Sequence, residues 1–286
     1  PPMTIQDALA WARHQLQGSP TAAGDARLLL QYVLGVEHSY LAAHPERLLE
    51  KDEETALRAL VSRAAKQEPI PYIIGEAPFY GLSFKVTPDV LIPRPETELL
   101  VEQAIAWAEE SEARRIVDVG TGSGCIAVTL ARRLPRATIL AIDVSAAALM
   151  VARENARRHR VAGRSGEKGR VTFLQGSLLA PVSRWPHLIV ANLPYITDEE
   201  WTAIDDGVKW YEPAGALRGG PDGLDSIRHL LYQARTRLEP GGAIFLEIGW
   251  RQGPAARDLA QSVFPAARVT VIPDYGGHDR IITIRT

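Results

Sequence analysis

Apolar positions recur at helical spacing from residue 4 to about residue 68. Ile5, Ala8, Leu9, Ala12 and Leu16 fall on one side of a helix that Thr4 and Asp7 open in the manner of a capping box. A second helix fits residues 25–34, with Leu28, Leu29, Tyr32 and Val33 on its apolar side and Gly35 as its stop. A third fits residues 55–66, carrying Leu57, Leu60, Val61 and Ala64 inward until Pro69 halts it. This period predicts a small helical bundle.

The period changes at Pro69. Residues 79–86 read as a hairpin turning at Gly81. From Pro93 onward, short apolar, β-branched runs alternate with helical stretches; the expected strands are 115–119, 138–142, 171–174, 188–191, 242–248, 268–272 and 280–285. Near-continuous apolar strands in strand-helix alternation predict an α/β fold with a parallel, doubly wound sheet covered on both faces. The last two strands have no room for a helix between them, so they should close the sheet as an antiparallel hairpin.

Composition narrows the chemistry. A net charge of −2 over 286 residues argues against an affinity built mainly on nucleic-acid phosphates. The single Cys125 excludes an internal disulfide and a cysteine zinc site, and the 7 scattered histidines show no metal-ligand spacing. No apolar run approaches membrane-spanning length, and the N-terminus lacks a basic-then-apolar signal, so a soluble cytoplasmic protein is expected. A basic stretch from Arg153 to Arg170 reads first as solvated helix face and loop.

Two patterns carry candidate chemistry. The first is Gly120-Thr121-Gly122-Ser123-Gly124, which follows the run Ile116–Val119 and precedes a helical stretch, with Asp143 ending the next strand. Glycines permit the sharp turn and a close ligand, and a carboxylate at Asp143 can accept both hydroxyls of a ribose. The bland reading is an ordinary β-α turn with Asp143 starting a helix. The third glycine stands too early for a dinucleotide fingerprint, and no Gly-Lys-Ser/Thr follows, so S-adenosylmethionine fits better than NAD or a nucleoside triphosphate.

The second pattern is Asn192-Leu193-Pro194-Tyr195, which ends the apolar run 188–191. The Asn192 carboxamide and the carbonyl of Leu193 can accept hydrogen bonds from a substrate –NH2, and the Tyr195 ring can cover a planar group. A strand-end Asn capping a turn beside a packed aromatic is the bland reading. With the glycine loop upstream, methylation of a planar, weakly nucleophilic nitrogen is the expectation.

Taken together, the motifs resemble those of the HemK/PrmC-type glutamine methyltransferases that modify class I peptide release factors. They are the stretches 91–98, 118–127, 141–143, 192–196, 211–213, 219–225 and 246–249, and the closing Asp279-Arg280. Leu-Ile-Pro-Arg-Pro-Glu-Thr-Glu at 91–98 and the segment from Tyr211-Glu212-Pro213 to Asp225 are more particular to that family than the glycine loop.

The resemblance implies a seven-stranded S-adenosylmethionine-dependent methyltransferase domain of Rossmann-like form over residues 93–286. A hairpin linker over 76–92 would join it to an N-terminal helical substrate-recognition domain over 1–75. The implied reaction is N5-methylation of the glutamine in the factor's Gly-Gly-Gln tripeptide, leaving S-adenosylhomocysteine. By position, Gly120, Thr121, Gly122, Ser123, Gly124 and Asp143 would bind the cofactor, with Leu178 near its adenine and Asn192 between cofactor and substrate. Asn192, Leu193, Pro194 and Tyr195 would hold the glutamine, with Asn192 and Tyr195 as the catalytic pair.

The family's usual tetrapeptide has Pro where Leu193 stands; a backbone carbonyl serves either way, and Pro194 keeps residue 193 extended. No metal, membrane or nucleic-acid partner is implied. Two other readings share these residues. One is methylation of an adenine amino group in rRNA or DNA, for which rRNA adenine dimethyltransferases use the same Asn-Leu-Pro-Tyr. The other is a non-catalytic binding module on a methyltransferase fold.

Overall fold

The computed structural model describes residues 2–163, 170–204 and 206–286. The chain divides into two compact units, Pro1–Glu76 with Asp205–Tyr211, and Ala77–Ile204 with Glu212–Thr286.

The first unit is helical: α1 (Ile5–Gln15), α2 (Ala22–Leu34), α3 (His38–Ala43), α4 (Lys51–Ala64) and α5 (Ile70–Ile74). Thr4 caps α1 by accepting from the Asp7 amide at 3.1 Å, while Asp7 Oδ2 accepts from the Thr4 amide at 3.2 Å. Helix α2 ends at Gly35 in the left-handed conformation, and α4 begins earlier than its apolar spacing indicates because Glu50 and Glu53 form a second capping box. The buried side of α2 is Ala26, Leu29 and Leu30, while Leu28 and Tyr32 are exposed. The expected face was rotated because three consecutive leucines give a period no phase. Ile5, Ala8, Leu29, Leu30, Leu57 and Val61 make the centre of this unit's core. The later segment contributes a short helix, α10 (Asp206–Tyr211), and the Tyr211 hydroxyl donates to the Lys66 carbonyl at 3.3 Å.

The second unit opens with β1 (Glu76–Phe79) and β2 (Leu82–Lys85), joined by Tyr80 and Gly81, both at positive φ. It continues through α6 (Thr97–Glu110), β3 (Arg115–Val119), α7 (Cys125–Arg133), β4 (Thr138–Asp143), α8 (Ala146–Arg158), β5 (Val171–Gln175) and β6 (Leu188–Ala191). Then come β7 (Ile196–Thr197), α9 (Asp198–Ala203), β8 (Arg218–Gly220), α11 (Asp225–Ala234), β9 (Ala243–Glu247), α12 (Gly253–Val263), β10 (Arg268–Pro273) and β11 (Asp279–Arg285).

The main sheet has seven strands in the order β10-β11-β9-β6-β3-β4-β5. Strands β9, β6, β3, β4 and β5 run parallel, and β11 pairs antiparallel with both β9 and β10. Alternate residues feed two cores. Ile116, Val190 and Phe245 face α6 and α7, whereas Val117, Ile189 and Ile244 face α11 and α12. Among the described residues, no helix is long and apolar enough to cross a membrane.

Register positions the chemistry. Val119 lies opposite Ala191 on one side and Ile142 on the other, and Ala191 lies opposite Leu246. The residues that follow, Gly120, Asn192, Asp143 and Glu247, therefore leave the sheet side by side at its carboxyl edge. Chain progress runs outward to β4 and β5 on one side of β3 and to β6 and β9 on the other. Ligands of open α/β sheets bind at such a reversal.

Candidate active site

A cavity of about 640 Å³ opens at that edge, lined by Gly120, Thr121, Gly122, Ser123, Asp143, Leu178, Asn192, Leu193 and Pro194 among others. Two residues expected at the site are not in its wall. Gly124 sits behind the loop, at φ +81, where an added Cβ would come within 3.0 Å of the Ala152 side chain. Its glycine serves the approach of α8 to α7. Tyr195 also stands outside the lining, its hydroxyl turned to Glu247.

The glycine loop is held from below. Gly120 and Thr121 both donate to the Ile142 carbonyl, at 2.8 and 3.0 Å. Buried Asp118 accepts from the Thr121 hydroxyl at 2.6 Å and the Ala127 amide at 3.1 Å, all through Oδ2. Its Oδ1 is buried without a protein partner. Burial pushes the Asp118 carboxyl up to about 7, against the lowering effect of those two hydrogen bonds. Burial likewise pushes the Cys125 thiol up to about 12, so it is an inert wall residue. Asn155 ties the loop to the hairpin, donating to the carbonyls of Ser123 at 2.8 Å and Lys85 at 2.9 Å.

Asp143 Oδ2 accepts from the Gly122 amide at 2.9 Å, and Oδ1 from the Ser145 amide at 2.9 Å. A carboxylate has about four acceptor positions, so roughly one per oxygen stays free for ribose hydroxyls. Above Gly122 (φ +52) there is nothing within 4 Å of the position a Cβ would take. Open space over the loop, an oriented carboxylate and the cavity volume fit an adenosyl group. Leu178 is held at φ +51, unusual for an L-residue. Its neighbour Leu179 is fixed by α11 and the turn after it, the amide donating to Gln233 at 2.9 Å and the carbonyl accepting from Arg237.

The Asn192–Tyr195 turn is held at three points. Asn192 Nδ2 donates to Thr97 Oγ1 at 3.1 Å, and Thr97 donates to buried Glu247 Oε2 at 2.6 Å. The Tyr195 hydroxyl donates to Glu247 Oε1 at 3.2 Å, and the Tyr195 carbonyl accepts from Gln252 Nε2 at 2.8 Å. Burial raises the Glu247 carboxyl above the ordinary range, opposed by the Thr97 bond and the charge of Arg280. Burial and the Glu247 charge also raise the Tyr195 phenol. Leu193 is buried, with its Cδ2 only 3.1 Å from where a Gly120 Cβ would stand.

The stretch 219–223 passes behind this turn. A Cβ on Gly219 would lie 2.7 Å from the Pro194 carbonyl oxygen, and one on Gly223 2.2 Å from that of Tyr195. Glu212, 5% exposed, pairs with Arg94 at 2.5 Å and accepts from the Ile92 amide at 3.3 Å, joining the stretch 91–98 to the Tyr-Glu-Pro segment at the cavity wall. Sequence reading named 91–98, 211–213 and 246–249 as motifs without assigning their chemistry. It missed Thr97, Glu247 and Gln252 as partners of the turn, and Ser226, His229 and Gln233 on the α11 wall of the cavity. The available signal was a lone acid, Glu247, ending a wholly buried strand.

In the basic stretch, Glu154 pairs with Lys85 at 2.7 Å and Arg153 lies over the Phe173 ring, while Arg164 and Lys168 lie outside the described residues.

Residues 7–75 match the PrmC N-terminal domain family model and residues 95–218 that of the methyltransferase small domain. A release factor glutamine methyltransferase from Moorella thermoacetica is 42% identical, covering 97% of this chain and 97% of its own. One from Bacillus subtilis is 38% identical over 98% of this chain and 96% of its own. Two solved structures share the fold. A methyltransferase from Pyrococcus furiosus has a TM-score of 0.51 at 16% identity, covering 80% of this chain and 95% of that one. The hMettl16 catalytic domain has a TM-score of 0.54 at 16% identity, covering 87% and 92%. By near full-length similarity to its curated relatives, this chain belongs to the release factor glutamine methyltransferase family.

Proposed function

We propose that this protein uses S-adenosylmethionine to methylate the side-chain nitrogen of the glutamine in the Gly-Gly-Gln segment of class I peptide release factors. One observation carries the reading. The acceptors of the Asn192 turn and the glycine loop with its Asp143 carboxylate line one cavity, in a chain of this family. When bound, S-adenosylmethionine supplies an electrophilic methyl group and leaves as S-adenosylhomocysteine.

The residues that hold it are the 120–124 loop, with Asp143 on the ribose hydroxyls and Leu178 at the adenine side. The substrate amide is a poor nucleophile because its lone pair is delocalised into its carbonyl. Asn192 Oδ1 and the Leu193 carbonyl accept its two N–H groups, which orients the nitrogen and raises its electron density; the nitrogen takes the methyl group and gives up one of those two protons to water. The same carbonyl dipoles favour positive charge nearby, at no reorganisation cost. Tyr195 holds the far end of the turn, braced by Glu247 and Gln252.

Incubating a class I release factor with the protein and S-adenosylmethionine should add one methyl group to its Gly-Gly-Gln peptide, read by mass spectrometry. Label entering adenine of RNA instead, or no label at all, refutes this reading.

The helical unit, residues 1–75, supplies the second contact that selects the factor, because a tripeptide offers far less than the roughly 1,200–2,000 Å² of a standard specific interface. Leu28 and Tyr32, one turn apart on α2 and 46% and 55% exposed, are the apolar part of that surface. The reaction needs no nucleic acid as partner and takes place in the cytoplasm.

A further inference from the structure

We propose that Glu247, acting through Thr97, sets which end of the Asn192 carboxamide faces the cavity. The inference rests on the amide-methylating reading above and assigns positioning roles to Glu247, which stands behind the cavity, and to Thr97 in its wall.

The argument is one of donors and acceptors. In the carboxylate form, which the Thr97 and Tyr195 hydroxyls and the charge of Arg280 favour against its burial, Glu247 can only accept. Thr97 has a single hydroxyl hydrogen, and its 2.6 Å distance to Glu247 Oε2 is that of an O–H donating to a charged oxygen. With its hydrogen committed to Glu247, Thr97 Oγ1 can only accept from Asn192, 3.1 Å away. The end of the carboxamide at Thr97 must then be Nδ2, and Oδ1 is left for the cavity. Reversing that order puts an N–H pair where the substrate's own N–H groups must be received. Two donors then face each other, and neither side has a partner.

The arrangement is buried throughout. Glu247 is 1% exposed and Thr97 2%, so water does not randomise the hydroxyl direction. The second oxygen of Glu247 accepts from the Tyr195 hydroxyl at 3.2 Å. One carboxylate therefore fixes both ends of the Asn192–Tyr195 turn, as no neutral side chain of that shape can. A carboxamide at 247 accepts from one hydroxyl and must donate to the other. It either reverses Asn192 or releases Tyr195.

The test compares Glu247→Gln, Thr97→Val and Thr97→Ser with the unsubstituted protein in the release factor assay, alongside calorimetric affinity for S-adenosylmethionine and melting temperature. Thr97→Val is expected to lower kcat about a hundredfold, the scale of losing one preorganised polar contact at a reacting centre. Glu247→Gln is expected to lower it at least about tenfold, with cofactor affinity changed less than about threefold in either, and Thr97→Ser should restore most of the turnover.

Neutron diffraction on deuterated crystals of the unsubstituted protein gives a readout independent of turnover. The Thr97 deuteron should lie toward Glu247, and the two Asn192 deuterons on the nitrogen nearer Thr97. A Thr97 deuteron pointing at Asn192 overturns the proposal whatever the reaction proves to be. Equal kcat in Glu247→Gln and Thr97→Val to that of the parent overturns it too, as does Thr97→Ser failing as badly as Thr97→Val. Absence of factor methylation by the unsubstituted protein would instead count against the reaction, with the deuteron positions still deciding this inference.

Discussion

Replacing Gly223 by Ala should displace the substrate-side turn while leaving the cofactor loop alone. Gly223 sits at φ +74, and a Cβ built there lies 2.2 Å from the Tyr195 carbonyl oxygen and 2.2 Å from Gln252 Nε2. Ordinary contact starts at 3.4 Å, so the Tyr195 carbonyl or residue 223 must retreat by about 1 Å. The hydrogen bond from Gln252 to that carbonyl cannot survive such a shift unchanged.

Left-handed strain of about 1–2 kcal/mol adds to an overpacking cost of about 1–3, for a total of about 2–5 kcal/mol of stability. A misplacement of about 1 Å near reacting groups lowers turnover about a hundredfold. Gly277→Ala is the matched control, since Gly277 has φ +80 but nothing within 4 Å of its Cβ position. It should cost only the strain and keep full activity. The assay is kcat on intact release factor with melting temperature and calorimetric cofactor affinity. A folded Gly223→Ala protein with kcat within about threefold of the parent would show that close packing behind Tyr195 does not position the turn.

Asp143→Ala should weaken S-adenosylmethionine binding by about 1.5–3 kcal/mol, the scale of hydrogen bonds to a charged group, and an unchanged calorimetric Kd in a folded variant removes Asp143 from the ribose. Leu193→Pro keeps the carbonyl but gives up side-chain packing beside Gly120, so stability should fall by about 1–2 kcal/mol with turnover retained; abolished methylation would show that the Leu193 N–H or side chain acts directly. Asp118 has a folded pKa of about 7, raised above its unfolded value, so its contribution to stability is full below about pH 4 and lost as pH rises through 7. Relative to Asp118→Asn, the parent should lose about 2–3 kcal/mol between pH 5 and pH 8, two pKa units at about 1.4 each, and a pH-independent difference in denaturant unfolding refutes this. Replacing Leu28 and Tyr32 together by Ser should lower kcat/KM on intact factor and spare a short Gly-Gly-Gln peptide; an equal effect on both substrates removes α2 from recognition.

What the sequence disclosed follows from how local each signal is. Strand β6 was read to the residue because a parallel strand buried on both faces is apolar at every position. The acceptor turn and the glycine loop were legible because each occupies consecutive residues, and strand register brings them together. Thr97, Asn192 and Glu247 meet across separations of 95 and 150 residues, and no local period records such a meeting. The segment 196–220 was read only as motif because its elements are too short to repeat anything: β7 has 2 residues, β8 has 3, and α9 and α10 have 6 each.

The helical unit is not a contiguous piece of chain. Its last member, the segment ending at Tyr211, is encoded after four strands of the main sheet, β3 to β6, with the hairpin before them. During synthesis the contact of Tyr211 with Lys66 can therefore form only after strands β3 to β6 have been made. A gene fragment encoding only the contiguous helices would keep this unit's apolar core, which draws on residues 3–74, and would lose the Tyr211 bond to Lys66. Modular exchange of the N-terminal helices between relatives is constrained in the same way, because a transplanted bundle must accept a helix it did not bring.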